Sequence, residues 1–564
     1  MVAKSNTENV DHSLDSILSN LGDFGKYQIY VFTLICVAVT MHSMVHISFV
    51  FTAMDLDYRC KVPDCDSADK TTFFQPWLSN AIPYTSGHPE KCSMFAPHKN
   101  FTKSDNCSVT EFNTDLIRRC DEFVYNGEEK TILQEFDLQC DNNLWKLTLV
   151  GTINNIGQFF GLFISGFMSD RYGRKKLLIW GMALSSIAGC IKAFMPTYQL
   201  FLLFEFLDAA FGSGSYICGF VLGVELVGPK KRVLTGTIIS SCYAIGEILL
   251  ATIAWMVQSW RPLVLICYIP TMLIMSYTWL IPESIRWNLS KGNIKECEKT
   301  LKKLAKVNGK TISDKELEVL KVVVTDRTES TESLGKSQNL FIDALKSRII
   351  MLRLVSCIFC WITCAFLFYG LTLNSVSLFV GYKYLDFILT ALVEVPAYFV
   401  CNFVMEKYGR KKSLFVSYLL TGLACLGFIY TPPGSRYGGL AMYLSGKFGA
   451  TAAFTILYVI TSEIFPTTLR HTLMGICSTF GRFGSMISPQ IPLLAQFWKP
   501  LPLVSFSIMS LLAALLTISF PETLHKKLPD TVKEAEDIGK ALAVSQSQVV
   551  LTDDIQQQYS VEKF

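Results

Sequence analysis

Asp170-Arg-Tyr-Gly-Arg-Lys-Lys176 decides the fold, because it returns 236 residues later as Glu406-Lys-Tyr-Gly-Arg-Lys-Lys412. Each copy stands between two long apolar runs. Glu225-Leu-Val-Gly-Pro-Lys-Lys-Arg232 is answered 238 residues on by Glu463-Ile-Phe-Pro-Thr-Thr-Leu-Arg470, and Pro282-Glu-Ser284 is answered 239 on by Pro521-Glu-Thr523. Three landmarks with nearly one offset describe a duplicated chain.

Composition says where such a chain lives. Of 564 residues, 50% are hydrophobic and 17% charged, with a mean hydropathy of +0.34, which excludes a soluble enzyme. Runs of about 20 apolar residues, enough for a hydrocarbon core of about 30 Å, recur at 27–48, 145–168, 177–195, 198–222, 233–257, 262–281, 348–371, 384–404, 413–430, 438–460, 472–496 and 501–520. The expectation is an all-α polytopic membrane protein with twelve transmembrane helices in two pseudo-symmetric six-helix halves, 27–281 and 348–520. A linker at 282–347 separates them and tails at 1–26 and 521–564 flank them. Repeated membrane bundles of this kind are typical of secondary transporters. The net charge of +4 says little about a partner and does not point to nucleic acid. The basic clusters Arg174–Lys176, Lys230–Arg232 and Arg410–Lys412 fall on one side, and basic loops mark the cytoplasmic side. Both termini are then expected inside. Residues 1–26, polar and acidic, do not resemble a cleaved leader.

Residues 50–143 form one outer loop with six cysteines, Cys60, Cys65, Cys92, Cys107, Cys120 and Cys140, and two glycosylation acceptors, Asn100-Phe-Thr and Asn106-Cys-Ser. Up to three disulfides are expected, and the spacing does not choose among the fifteen pairings. The sequon Asn288-Leu-Ser falls on the inner side and should stay bare. In the linker, Lys295–Val307 and Asp314–Val324 space apolar residues three and four apart among charges. They are expected to form amphipathic helices that tie the halves together. Residues 525–564 read as a short helix and a polar tail.

The repeated phrase joins two spans by a very short turn. Gly173 and Gly409 permit positive φ or close backbone approach, and the basic residues suit an anionic inner leaflet. Charged turns of this kind can latch two halves in one state and release them in another. The gating candidates are Asp170, Arg171, Gly173, Arg174, Glu225, Glu283, Arg286, Glu406, Gly409, Arg410, Glu463, Arg470 and Glu522. The competing interpretation is a topology signal alone.

D-R-x-G-R-[RK] resembles the hallmark loop of the major facilitator superfamily. Pro282-Glu-Ser-Ile-Arg-Trp287, the cysteine-bearing first loop and Leu21-Gly-Asp-Phe-Gly-Lys-Tyr27 resemble its organic-ion branch, solute carrier family 22. Gly446-Lys-Phe-Gly-Ala-Thr-Ala-Ala-Phe-Thr-Ile-Leu-Tyr458, Ser462-Glu-Ile-Phe-Pro-Thr467 and Val393-Glu-Val-Pro-Ala-Tyr398 are similar to the carnitine and organic-cation transporters. The resemblance implies alternating access between two six-helix halves.

Ionisable residues at membrane depth are costly and are functional candidates by default. Glu394 and Arg482 lie near the midplane of the eighth and eleventh spans, Glu247 in the fifth, and Glu205 and Asp208 in the fourth. Lys383, Asp386, Lys192 and Arg436 are expected at the interface. Glu394 and Arg482 either pair with each other or serve opposite ends of a substrate. By resemblance, anion carriers have a base at the place of Tyr398, and arginine at the place of Arg482 marks anion and carnitine members. Acid at 394, no base at 398 and a base at 482 together imply a zwitterion, or a cation with a polar acceptor. Glu205 departs from the family's usual arginine. With Asp208 it is expected to bind a cation or proton, or to pair with Lys192.

Aromatic faces hold ammonium groups at about 0.5–2 kcal/mol per contact. Tyr216, Tyr243, Trp361, Phe368 and Tyr369 match the family's pocket positions, and Tyr243 shares a helix face with Glu247. His42 and His46 have metal-binding spacing but no third ligand, so pore lining or packing is expected and no metal. Gly223-Val-Glu-Leu-Val-Gly-Pro-Lys230 lacks the ending of a phosphate loop, and no nucleophile–base constellation suggests an enzyme. The expectation is a multi-pass plasma-membrane carrier of small organic cations or zwitterions, without a cofactor. Coupling to sodium or protons is left open, as is the oligomeric state. The alternatives are an organic anion exchanger using Arg482 and a non-transporting receptor or scaffold.

Overall fold

The computed structural model describes residues 14–538 apart from 64, 67–71, 86–87, 99–106, 314–345, 380, 433–434, 468, 527 and 530. Asn100, Asn106 and the expected helix at 314–324 lie outside the described residues. The first half comprises α1 (Lys26–His46), α2 (Asp141–Tyr172), α3 (Arg174–Lys192), α4 (Tyr198–Glu225), α5 (Arg232–Val257) and α6 (Trp260–Thr271, continued by a 3-10 segment, Met272–Ser276, and a last α-helical turn, Tyr277–Leu280). The second comprises α7 (Arg348–Asn374), α8 (Lys383–Leu392 and Glu394–Tyr408), α9 (Arg410–Ile429), α10 (Arg436–Ile464), α11 (Arg470–Ile487) and α12 (Leu501–Thr517). Nine helical segments among the described residues are long and apolar enough to cross a membrane. The other three are α3 and α11, with basic first turns, and α12, with only 17 residues.

Prolines shape the irregular spans. Pro396 has no N–H for the carbonyl one turn before it, and α8 breaks at Val393, immediately beside Glu394. Pro489 and Pro492 turn the end of α11 into a 3-10 segment, Ser488–Gln496. Elsewhere small residues let helices approach closely, as membrane packing requires. A Cβ on Gly157 of α2 would stand 3.1 Å from Cβ of Ala209 on α4.

Each half has its own apolar core. Tyr384 and Phe387 of α8 nevertheless pack into the first half's core, where the Phe51 ring meets them at 5.6 and 5.1 Å, and Leu373, Val376 and Ile388 lie against it. The linker helix Ile294–Val307 also departs from expectation. Its buried face, Cys297, Leu301, Leu304 and Ala305, joins the first half's core rather than bridging the halves. Leu14, Leu18, Leu21 and Tyr27 belong to the same cluster, and Asn308 donates to Leu21 O and Gln28 Oε1 at 3.0 and 2.8 Å. Burial pushes the Cys297 thiol up to about 12. Asn288 is buried as well.

The first loop carries three short antiparallel strand pairs and the disulfides Cys60–Cys120, Cys65–Cys107 and Cys92–Cys140. It is fastened to the first half. Lys130 N donates to Gln258 O at 2.9 Å, Trp260 N to Lys130 O at 3.0 Å, and Trp260 Nε1 to Glu135 at 2.8 Å. Its link to the second half runs through Glu129, which is bonded by Lys383 Nζ and, at 3.0 Å, by the Tyr384 hydroxyl.

Candidate functional site

The repeated phrases close into the same structure twice. At Gly173 the backbone takes φ +106°, and the Glu283 carboxylate accepts from Arg174 N and Lys175 N at 3.0 and 3.1 Å. At Gly409 φ is +95°, and Glu522 accepts from Arg410 N and Lys411 N at 2.8 and 3.2 Å. A carboxylate thus sits on the positive end of α3 and of α9. Glycine is required on two grounds, the positive φ and the space. A Cβ on Gly173 or Gly409 would lie 2.8 or 2.6 Å from the glutamate Cδ. Ser284 donates to Glu225, and Thr523 to Glu463 at 2.5 Å. Arg410 Nε stands 3.3 Å from Glu463, and Arg174 3.4 Å from Asp170. Arg286 pairs with Asp15, while Arg171 and Glu406 are exposed. Arg470 opens α11. These contacts run within a half. Between halves near this basic end, Asn402 Nδ2 donates to Thr237 Oγ1 at 2.7 Å.

The opposite end, where the cysteine-bearing loop lies, is closed more heavily. Thr148 donates to Gln490 at 2.9 Å, Gln490 to Thr152 at 2.7 Å, and Thr152 to Met486 O at 3.1 Å. The Phe51 contacts and the Glu129 links lie at the same end. A recess of about 590 Å³ above this seal is lined by Asp55, Asp57, Glu128 and Glu129 with Lys91 and Lys383.

On the basic side of the seal a cavity of about 330 Å³ separates the halves. Phe159, Phe163 and Ile217 line it from the first half; Trp361, Tyr369, Phe454, Tyr458 and Arg482 line it from the second. Trp361 Nε1 donates to Thr461 at 3.0 Å, which fixes its ring edge-on to Tyr458 at 4.4 Å. Arg482 is the single charged residue of this wall, and its guanidinium makes one hydrogen bond among the described residues, 3.5 Å to Gln158 Oε1.

Glu394 does not pair with Arg482, which corrects one of the two sequence expectations. Fully buried, it meets Lys447 of α10 at 2.7 Å and accepts from the Tyr398 hydroxyl at 3.2 Å. Lys447 also donates to Phe368 O at 3.0 Å and Thr372 Oγ1 at 2.7 Å, with the Phe368 ring centroid 3.7 Å away. Lys447 went unmarked in the sequence, although the rule that marked Glu394 applies equally to a lone lysine in an apolar span. Across the interface Glu247 of α5 lies within hydrogen-bond reach of Glu394. Tyr243 bonds His46 Nδ1 at 2.7 Å, and its ring stands 5.4 Å from Tyr216. His46 in turn lies 6.4 Å from Tyr369. The nine substrate candidates therefore form one connected region. Trp361, Tyr369 and Arg482 face the cavity, and Glu394, Glu247, Tyr398, Tyr243, Tyr216 and Phe368 stand behind it.

Lys192 is buried within the first half, and of the alternatives for Glu205 and Asp208 the structure shows the pairing with Lys192. It meets Glu205 at 2.7 Å and Asp208 at 3.0 Å, and Tyr268 also donates to Asp208. Arg436 pairs with the fully buried Asp386 at 3.1 Å. Glu205 accepts from Asn154 at 2.7 Å, and Asn154 accepts from Gln158 at 2.7 Å. Through Gln158 this chain of polar groups ends on Arg482.

Comparison with known proteins bears on the family and the fold. The Major Facilitator Superfamily model matches residues 144–489 and 387–549. Mouse solute carrier family 22 member 3 is 30% identical over 94% of this chain and 96% of its own length. The human organic cation/carnitine transporter 2 is 28% identical over 92% and 93%, and the Drosophila melanogaster organic cation transporter protein 26% over 93% and 95%. Among solved structures, the Escherichia coli xylose transporter XylE in a partially occluded inward open conformation aligns with a TM-score of 0.60 at 15% identity, covering 89% of this chain and 100% of that one.

Proposed function

This chain belongs to solute carrier family 22 of the Major Facilitator Superfamily, and from that premise we propose that it carries small organic cations and zwitterions, of the carnitine, betaine or amine kind, across the plasma membrane by alternating access. The observation that carries this is the separation of two opposite charges at mid-depth. Glu394 is held by Lys447 and faces Glu247, while Arg482 stands in an aromatic cavity with one long contact.

The chemistry follows. Glu247 and Glu394 set two carboxylates against one ammonium, so this part of the site attracts a cation. The rings of Trp361, Tyr369 and Tyr458 offer π faces to an alkylated ammonium, each worth about 0.5–2 kcal/mol. Arg482 takes a carboxylate in the bidentate manner suited to guanidinium. Placing the basic phrases at the cytoplasm puts both termini inside and the disulfide-bearing loop outside, where disulfides persist. The cavity then faces the cytoplasm, and outward opening breaks the Thr148–Gln490–Thr152 and Glu129–Lys383 contacts while the two capped turns move as parts of rigid halves.

A second reading, organic anion exchange, draws on Arg482 being the charged group of the cavity wall. Competition decides between them. In cells expressing the full chain, carnitine and tetraethylammonium should be taken up, and each should inhibit the other. Inhibition by p-aminohippurate alone, with no uptake of either cation, would transfer the case to anion exchange.

A further inference from the structure

Glu247 is a buried carboxylate that no donor among the described residues satisfies. Its side chain is fully enclosed, and neither oxygen receives a hydrogen bond from a donor among the described residues. The groups facing it can be named element by element. From α8 come Glu394, within hydrogen-bond reach, and the Tyr398 hydroxyl, which donates to Glu394. From α10 comes Lys447, already bound to Glu394 at 2.7 Å. From its own helix comes Tyr243, whose hydroxyl is engaged with His46 of α1 at 2.7 Å. Tyr216 of α4 and Tyr369 of α7 lie next to Tyr243.

Two carboxylates at hydrogen-bond distance, away from water, cannot both remain charged with a single lysine beside them. One of them holds a proton, or a second cation enters. The geometry points to Glu247 and Glu394 as an exchangeable proton site, occupied by one proton when the cavity is empty and vacated when the ammonium group of a substrate arrives. The balance closes in both states: two carboxylates face Lys447 plus a proton, or Lys447 plus the substrate cation. The O–H bond of the shared carboxyl breaks, its electron pair stays on the carboxylate, and the proton leaves by the cavity to the side from which substrate came. On the other side the substrate departs and a proton from that side replaces it. Because Glu247 belongs to the first half and Glu394 to the second, the site forms between the moving parts. A carrier holding neither cation would have to turn over with an uncompensated buried charge, which is strongly disfavoured. This rests on the cation-carrier reading and adds obligatory, electroneutral exchange of one proton for one monovalent cation.

The test uses the full-length protein in liposomes, with the membrane potential clamped to zero, a trapped pH dye and tetraethylammonium as probe. Acid-inside vesicles should accumulate tetraethylammonium up to about tenfold per pH unit of gradient, since one pH unit and a tenfold ratio are the same free energy. The interior should become more alkaline as the probe enters. Glu247→Gln should slow tetraethylammonium counterflow and remove both its response to the pH gradient and the dye signal. Wild-type counterflow that ignores the pH gradient and gives no dye signal would overturn the exchange while leaving the carrier reading standing; so would a drive by sodium instead of protons. A Glu247→Gln protein that keeps the wild-type pH response would exonerate this pair. Absence of counterflow for both tetraethylammonium and carnitine in folded wild-type protein would sink the carrier reading itself, and the exchange with it.

Discussion

The molecule contains two buried clusters of the same charge, two carboxylates and one lysine, and they differ in everything else. Lys192, Glu205 and Asp208 lie within the first half, and each carboxylate oxygen has a donor: Asn154 and Lys192 for Glu205, Ser185, Lys192 and Tyr268 for Asp208. Lys447, Glu394 and Glu247 straddle the two halves, and Glu247 has no donor among the described residues. A satisfied network inside one rigid body is suited to holding it together, because every partner is already in place. An unsatisfied one between two bodies is suited to responding. The two share one position of the duplication. Asp208 and Lys447 are 239 residues apart, the offset of the two Pro-Glu-Ser/Thr phrases, so one repeat position has become acid in one half and base in the other.

The sharpest way to break this comparison is to remove each lysine in turn. Lys192→Met strands two buried carboxylates and should cost about 3–5 kcal/mol, read as a lowered melting temperature and folded yield in detergent. Lys447→Met should be milder in melting, because Glu394 and Glu247 can share a proton, yet severe in uptake. A larger melting loss for Lys447→Met would reverse the roles assigned here. Next, Glu394→Gln should lower kcat/KM for tetraethylammonium and carnitine about 100-fold, some 2.7 kcal/mol, with the protein still folded. Unchanged uptake of both would mean the cation site lies elsewhere.

The remaining expectations sharpen the contrast. Gly173→Ala and Gly409→Ala should each destabilise by about 1–3 kcal/mol, as strained backbone does, and by similar amounts, because the duplication is intact there. A large inequality in melting temperature between these two variants would show that the turns have diverged in use. Arg482→Gln should raise KM about tenfold for carnitine, or about 1.4 kcal/mol, and change it about twofold or less for tetraethylammonium, which has no carboxylate. Equal effects on both probes would assign Arg482 to the polar chain through Gln158 rather than to the substrate.

Much of the fold was legible because the signals are global: apolar runs of membrane length, one offset at three landmarks, and basic clusters on one side. Side-chain pairing was not, because it depends on helix rotation and on prolines. Distance along a span placed Lys192 and Asp386 near the membrane surface, but their helices turn them inward, where Tyr268 and Arg436 meet them. Glu394 and Arg482 share a depth, yet the break before Pro396 and the position of Lys447 on α10 give Glu394 another partner. The linker's apolar spacing foretold a helix over Ile294–Val307 and could not say which half it would cover. The disulfide pairing likewise needed tertiary contacts: one strand pair sets Cys60 opposite Phe123, near Cys120, while Cys140 meets Cys92 at the Tyr58 hydroxyl, which accepts from Cys140 N at 2.7 Å.

The cysteine-bearing loop is fastened to the first half through Lys130, Trp260 and Glu135, and crosses to the second through Glu129. Mechanically it is a handle bolted to one jaw and hooked over the other. A binder that never enters the bilayer, gripping the loop so that Glu129 stays on Lys383, would hold the jaws shut at that end and set the pace of a reaction taking place at mid-membrane. Severing Cys92–Cys140, which ties the loop to the start of α2, would loosen the same handle from its jaw.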